Sequence, residues 1–223
     1  MNTNPLEASL RATPHATTSA LIRNTYMLLA MTLLFSAATA AFAMALDLRG
    51  PGLIGTLVGY FGLLFAVHKL RNSAWGILAV FALTGFMGFT LGPIVSLYLK
   101  MFSNGHQLVM TALGGSGAIF LGLSTYALTS KRDFSFMGGF LFAGVMVAFL
   151  AGLAAIFLQI PALSLAVSAM FVLLMSAVIL YQTSALVNGG ETNYLMATVT
   201  LYVSLYNLFL SLLHLLGFAG GED

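Results

Sequence analysis

Cysteine is absent from the 223-residue chain, which excludes disulfide frameworks, thiolate metal sites and cysteine nucleophiles. Charge is nearly as scarce. Only 6% of the residues are charged, against roughly a quarter in an ordinary globular protein, so there is too little polar material to cover a soluble surface. The net charge of +2 is too small to point to a nucleic-acid partner. Acids are missing from the apolar stretches altogether: Asp47, Asp133, Glu191, Glu222 and Asp223 fall in predicted loops or ends, and Glu7 in the N-terminal tail. No acid, lysine or arginine lies near the middle of a long apolar stretch, where proton relays, ion pumps and voltage sensors keep ionisable groups. That argues against coupled transport.

What remains is apolar. Hydrophobic residues make up 60% of the chain and the mean hydropathy is +0.99. A helix needs about 20 apolar residues to cross a hydrocarbon core of about 30 Å, and charges and turn residues break the chain into seven such spans: 25–46, 52–67, 74–99, 107–129, 136–158, 160–182 and 194–217. The second is short. Long apolar runs without period-two alternation favour helices over a barrel, so the fold class is an all-α polytopic membrane protein. Residues 1–24 form a flexible, Thr/Ser/Ala-rich tail, 25–217 the membrane domain, and 218–223 a short tail at the far side. The segment YMLLAMTLLF before AAFAMA has some signal-peptide character, but the polar region ahead of it is long and its first ten residues carry no positive charge. An uncleaved first helix is expected.

Orientation follows from the short loops. With the N-terminus inside, Arg11, Arg23, Lys69, Arg71, Lys131 and Arg132 are cytoplasmic and only Arg49 and Lys100 lie outside. This obeys the positive-inside rule and places the C-terminus outside.

Glycine and alanine recur at helical spacing: Gly55, Gly59 and Gly62; Gly85, Gly88, Gly92 and Ser96; Thr111, Gly115, Ala118 and Gly122; Gly144, Ala148, Ala151 and Ala155. In lipid, small residues let backbones approach, so these rows are expected to be packing seams, with a kink at Pro93. The seventh span carries a different pattern. Thr200, Ser204, Asn207, Ser211 and His214 follow one another at steps of four and three, a stripe about 80° wide at 3.6 residues per turn. Such a stripe should face protein or water rather than lipid. Ser164, Ser168, Met175 and Gln182 share a face of the sixth span.

Two short motifs resemble those of rhomboid intramembrane proteases: Gly114-Gly115-Ser116-Gly117 and His214-Leu215-Leu216-Gly217. A serine–histidine dyad requires hydrogen-bond reach. Ser116 would lie about 13 Å into its helix and His214 about 5 Å from the end of its own, and no second polar set suits an oxyanion hole. This is a remote alternative.

Three blocks are more specific: GFTLGPIVSLYL (88–99), YALTSKRDFSFMGGFL (126–141) and LYQTSALVNGGETNYLMATVTLYVSLYNLFLSLL (180–213). With the seven-span layout they resemble the Bax-inhibitor family (transmembrane Bax inhibitor motif proteins) and, within it, the bacterial YccA type, over roughly residues 20–217. The resemblance implies six helices around a central seventh, in the bacterial inner (cytoplasmic) membrane, with Lys131, Arg132 and Asp133 in the family's cytosolic loop motif. It also implies one of two activities: a calcium leak, or modulation of the membrane-anchored ATP-dependent protease FtsH. No catalytic residue, metal ligand or cofactor is implied. Calcium-leak members carry an aspartate pair, and the matching positions here are Gln182 in YQTS and Ser204 in LYVSLYNLF. A carboxylate pair can share a proton and titrate near neutrality; an amide and a hydroxyl cannot. The expectation is therefore a non-enzymatic protein that restrains FtsH, with a passive calcium or ion leak lined by Thr200, Ser204, Asn207, Ser211 and His214 as the alternative.

Overall fold

A computed structural model describes residues 5–130 and 132–220, with side chains from Thr18 onward. Seven α-helices follow one another: α1 (Pro5–Ala45), α2 (Gly52–Leu70), α3 (Trp75–Met101), α4 (Gly105–Ser130), α5 (Gly138–Leu158), α6 (Pro161–Asn188) and α7 (Tyr194–Ala219), with a short 3-10 turn, Ser135–Met137, before α5. There is no strand among the described residues. Each helix contains a stretch long and apolar enough to cross a membrane, Thr18–Ala45 in α1.

The helix ends follow local chemistry. Pro161 opens α6 at its first turn, where its missing N–H costs nothing. Asn193 caps α7 by accepting from the amides of Leu195 and Met196. Gly189, at φ 79°, closes α6 in the left-handed conformation, and the next amide, of Gly190, returns to the Ala185 carbonyl. Helices α2 and α6 run past their predicted ends at 67 and 182. His68 and Lys69 in the last turn of α2 favour a helix C-terminus. The sixth span is expected to end at Gln182, but Gln182, Thr183 and Ser184 are all buried inside the bundle and α6 runs on to Asn188. Helix α3 continues through Pro93 to Met101.

Close approach is concentrated between α1 and α3. A Cβ at Gly88 would overlap the Ser36 carbonyl oxygen, and one at Gly92 would stand 2.6 Å from the Ala40 carbonyl oxygen. Both contacts are to backbone, so only glycine lets these helices meet. The predicted row on α4 is different: an added Cβ at Gly122 has no neighbour within 4 Å, and one at Gly115 meets only Leu212 at 3.5 Å. On α2 Gly59 lies against the Phe86 ring, whereas Gly62 faces open space.

Helix α7 packs against α1, α2, α3, α4 and α6, while the backbone of α5 approaches only α6 and the 3-10 turn among the described residues. The core gathers Leu28 and Leu29 of α1, Val80 and Leu83 of α3, Ile179 of α6, and Leu201, Tyr202 and Leu208 of α7. Tyr202 is fully buried: its hydroxyl pairs with Ser36 and donates to the Thr84 carbonyl at 3.2 Å, tying α7 to α1 and α3.

A polar helix face and the cavities over it

The polar stripe of α7 does not bond chiefly to other helices. The Ser204 hydroxyl donates to the Thr200 carbonyl at 2.8 Å, and the Asn207 amide to the Val203 carbonyl, also at 2.8 Å. Only His214 reaches across, with Nδ1 at 2.8 Å from Ser168 Oγ on α6. Ser168 also lies 3.0 Å from the Ser164 carbonyl, so its single proton goes either to that carbonyl or to Nδ1, and the imidazole takes the complementary tautomer.

Above this face lie three cavities. One of about 650 Å³ is walled by Thr90, Ser164, Ser168, Asn207, Ser211 and His214, among others. The second, about 630 Å³, includes Tyr60, His68, Met175, Thr200 and Ser204. The third, about 370 Å³, shares Thr56, Thr90, Phe149 and Asn207 with the first and Tyr60, Phe61, Met175 and Val203 with the second. Thr200 and Ser204 thus face one end of the row, and Ser211 and His214 the other.

Gln182 and Ser204 make no hydrogen bond to each other. Gln182 is 5% exposed and its Nε2 has no partner, and it is not in the wall of the cavity that Ser204 lines. Both residues are read from the same end of the bundle, about 9 Å from the end of α6 and about 15 Å from the start of α7 at 1.5 Å per residue. Among the described residues no group of three or more His, Asp or Glu side chains comes together.

The Ser116–His214 pair is not made. The Ser116 hydroxyl donates to the Ala112 carbonyl at 2.7 Å, and Ser116 borders a separate cavity with Ser36, Tyr202 and Phe209. That is the opposite side of α7 from His214, whose partner is Ser168.

Around YQTS the sequence pattern acquires a structural reason. Thr183 meets Tyr26 of α1 at 3.2 Å and Ser124 of α4 at 3.4 Å. Ser184 donates to the Arg132 carbonyl at 2.8 Å and accepts from the Phe134 amide at 3.1 Å, and Asn188 also donates to the Arg132 carbonyl. Asp133 accepts from the Ser135 amide. The loop is thus bound to the end of α6 by its backbone; Lys131 lies outside the described residues. At the same end Asn193 donates to the Arg71 carbonyl. At the opposite end Lys100 pairs with Asp47 at 2.7 Å.

The family described as Inhibitor of apoptosis-promoting Bax1 matches residues 18–221. The chain belongs to that family. Among its relatives are the Modulator of FtsH protease YccA of Escherichia coli (strain K12) and the Inner membrane protein YccA of Escherichia coli O6:H1, each 51% identical over 205 residues, covering 92% of this chain and 93% of the relative. The Golgi anti-apoptotic protein of vaccinia virus (strain Lister) is 35% identical over 210 residues, 88% of this chain and 84% of its own. Like the Escherichia coli O6:H1 relative, which is named an inner membrane protein, this family member is a multi-pass inner-membrane protein, with seven helices among the described residues able to span.

The stripe pattern of the seventh span does not single out Tyr202 or Tyr206. Tyr206 shares the cavity wall with Asn207 and pairs with Thr90 on α3 at 3.1 Å. Ser168 was noted only as part of a face. Its signal lay in the spacing Ser164, Ser168, but nothing in one sequence couples that face to His214.

Proposed function

We propose that the chain is a non-enzymatic inner-membrane protein that binds and restrains the FtsH protease. The observation that carries this reading is 51% identity over nearly the whole chain to a protein named as a modulator of that protease. The cavity walls support it: they hold serine, threonine, asparagine, histidine and tyrosine but no carboxylate, so a proton-gated acid pair at Gln182 and Ser204 is not available. In this reading the N-terminus and the Arg132–Asp133 loop are cytosolic, the C-terminus is outside, six helices surround α7, and the N-terminal tail is the segment that the ATPase engages. The test is co-purification with FtsH and the half-life of a membrane substrate of the protease, with and without residues 2–17. Tail deletion is expected to reduce association and shorten the substrate's half-life; unchanged association overturns the role of the tail.

A second reading, a passive calcium or ion leak, is favoured by the row of cavities over the α7 stripe. Proteoliposomes containing only this protein, measured at pH 6 and pH 8 against empty vesicles, decide it. If the leak exists, Asn207→Leu abolishes it; an identical flux in that variant removes the α7 stripe from the pathway.

A further inference from the structure

Helices α2 and α5 flank the polar face of α7, yet no Cα of one comes within 8 Å of a Cα of the other. Two rings bridge the gap: Phe61 of α2 and Phe149 of α5, centroids 5.9 Å apart and edge to face. Behind them the three cavities share wall residues along α7 from Thr200 to His214. That stretch is about 21 Å of helix at 1.5 Å per residue, somewhat more than half of a hydrocarbon core about 30 Å thick. It matches one lipid chain plus its glycerol linkage. A transmembrane helix, about 10–12 Å across, does not pass between rings in contact.

The two ends of the cleft differ. At the Thr200 end the hydroxyl of Ser204 is already bonded to its own helix; the wall there also holds Tyr60, His68 and Thr200, but no lysine or arginine lines it. At the other end Ser211 lines the cavity, and its hydroxyl makes no hydrogen bond among the described residues. A hydroxyl that faces a cavity can donate to an acceptor placed there. Next to this cavity, sharing Gly50 and Pro93 with it, is a smaller one of about 360 Å³ lined by Asp47, Arg49 and Lys100. Lys100 is engaged by Asp47 at 2.7 Å; Arg49 makes no salt bridge among the described residues, although its charge also acts on Asp47. A guanidinium without a close carboxylate partner among the described residues, at the polar mouth of an apolar cleft, suits a phosphate.

We propose that the cleft between α2 and α5 binds one phospholipid: an acyl chain lies over α7 between Thr200 and Asn207, an ester oxygen accepts from Ser211, and the phosphate meets Arg49. The site is independent of whether the protein restrains a protease.

The full-length protein is reconstituted in phosphatidylcholine vesicles with a trace of phosphatidylglycerol bearing a diazirine at the end of one acyl chain, irradiated, and the adducts are mapped. Adducts are expected on residues of α2, α5 and α7 that line the cleft, and unlabelled phosphatidylglycerol competes for them better than diacylglycerol, which lacks the phosphate. Gly152 lines the cavity with room for a side chain, so Gly152→Leu is expected to lower cleft labelling about tenfold, roughly 1.4 kcal/mol of binding. Arg49→Ala is expected to abolish the advantage of phosphatidylglycerol over diacylglycerol. Leu113→Phe, on the exposed face of α4, leaves the pattern unchanged. Adducts spread evenly over exposed residues such as Leu34, Leu113 and Phe157 overturn the proposal on the unmodified protein alone. So does a cleft free of adducts, or a folded Gly152→Leu protein labelled as before.

Discussion

The two flanks of α7 are built on opposite terms. Toward α1 and α3 there is backbone-to-backbone approach at Gly88 and Gly92, and a buried tyrosine, Tyr202, bonded to both helices. Toward α2 and α5 there are cavities, bridged by the Phe61–Phe149 ring contact. Half of the central window of α3 and of α7 is buried, against 6% for α2 and 17% for α5. Helices in lipid gain little from hydrophobic burial against one another and rely on close packing and interhelical hydrogen bonds. The first flank therefore supplies cohesion. The second leaves space and puts hydroxyl, amide and imidazole groups against it, which a purely structural seam does not need.

The sharpest way to break this contrast is to place the same side chain in both flanks. Gly88→Leu drives a branched chain into the Ser36 backbone, and overpacking of this kind costs about 3 kcal/mol. Gly62→Leu enters open space and is expected to change stability by less than about 0.5 kcal/mol. Thermal unfolding in detergent compares them. Equal losses would mean that α2 is held as firmly as α3 and that the cleft is not a loose flank.

Tyr202→Phe is a gentler probe of the cohesive flank. It removes the hydroxyl shared with Ser36 and the Thr84 carbonyl while keeping the ring. An interhelical hydrogen bond in a membrane protein contributes about 1 kcal/mol, and a loss of that size is expected in the same unfolding measurement. A change indistinguishable from zero would assign the cohesion to glycine packing alone.

Much of this architecture was legible in the sequence, because span length and the placement of charge depend on local composition. The seven spans, the α1-facing row of α3 and the stripe of α7 follow from periodicity alone. The ends of α6 were not legible: Gln182, Thr183 and Ser184 look like residues leaving the membrane, and only the arrival of Tyr26, Ser124 and the Arg132 loop makes them interior. Glycine rows were ambiguous for the same reason. Gly88 and Gly122 belong to rows of similar spacing, yet an added Cβ meets backbone at one and nothing within 4 Å at the other. The partner of a face is a tertiary fact. So is the pairing of His214, which the motif H-x-x-G directed to Ser116 and the fold gives to Ser168.

Gln182 sharpens the comparison at smaller amplitude. Its buried Nε2 has no partner, and replacing an unsatisfied polar group with an apolar one of similar shape is neutral or stabilising. Gln182→Leu is expected to leave stability unchanged or raise it by up to about 1 kcal/mol. Ser184→Ala, which removes both bonds to the 132–134 loop, should lower it by about 1 kcal/mol. If Gln182→Leu is instead clearly destabilising, the amide holds the bundle together and is not a spare polar group at the position of the family's aspartate.

The smallest effect is expected at the mouth of the cleft, where the two flanks meet solvent. Asp47 sits at φ 49° just beyond α1, and the hydrogen bond and charge of Lys100 hold its carboxyl below the ordinary value of 3.8. A carboxyl depressed in the folded state stabilises fully above its unfolded pKa, about 4, and loses that contribution as the pH falls through the lower folded value. Melting in detergent from pH 6 to pH 2.5 should therefore show a small acid-side decrease that Asp47→Asn removes, with no difference between the proteins at pH 7 beyond the weak contribution of an exposed pair. The same substitution releases Lys100, so a second cation becomes available beside Arg49. If phosphate is what this end of the cleft receives, Asp47→Asn raises phosphatidylglycerol labelling of the cleft at pH 7 while Gly152→Leu lowers it. Opposite responses from a change outside the membrane and a change within it separate a lipid site from lipid that merely surrounds the helices, because bulk lipid answers to neither.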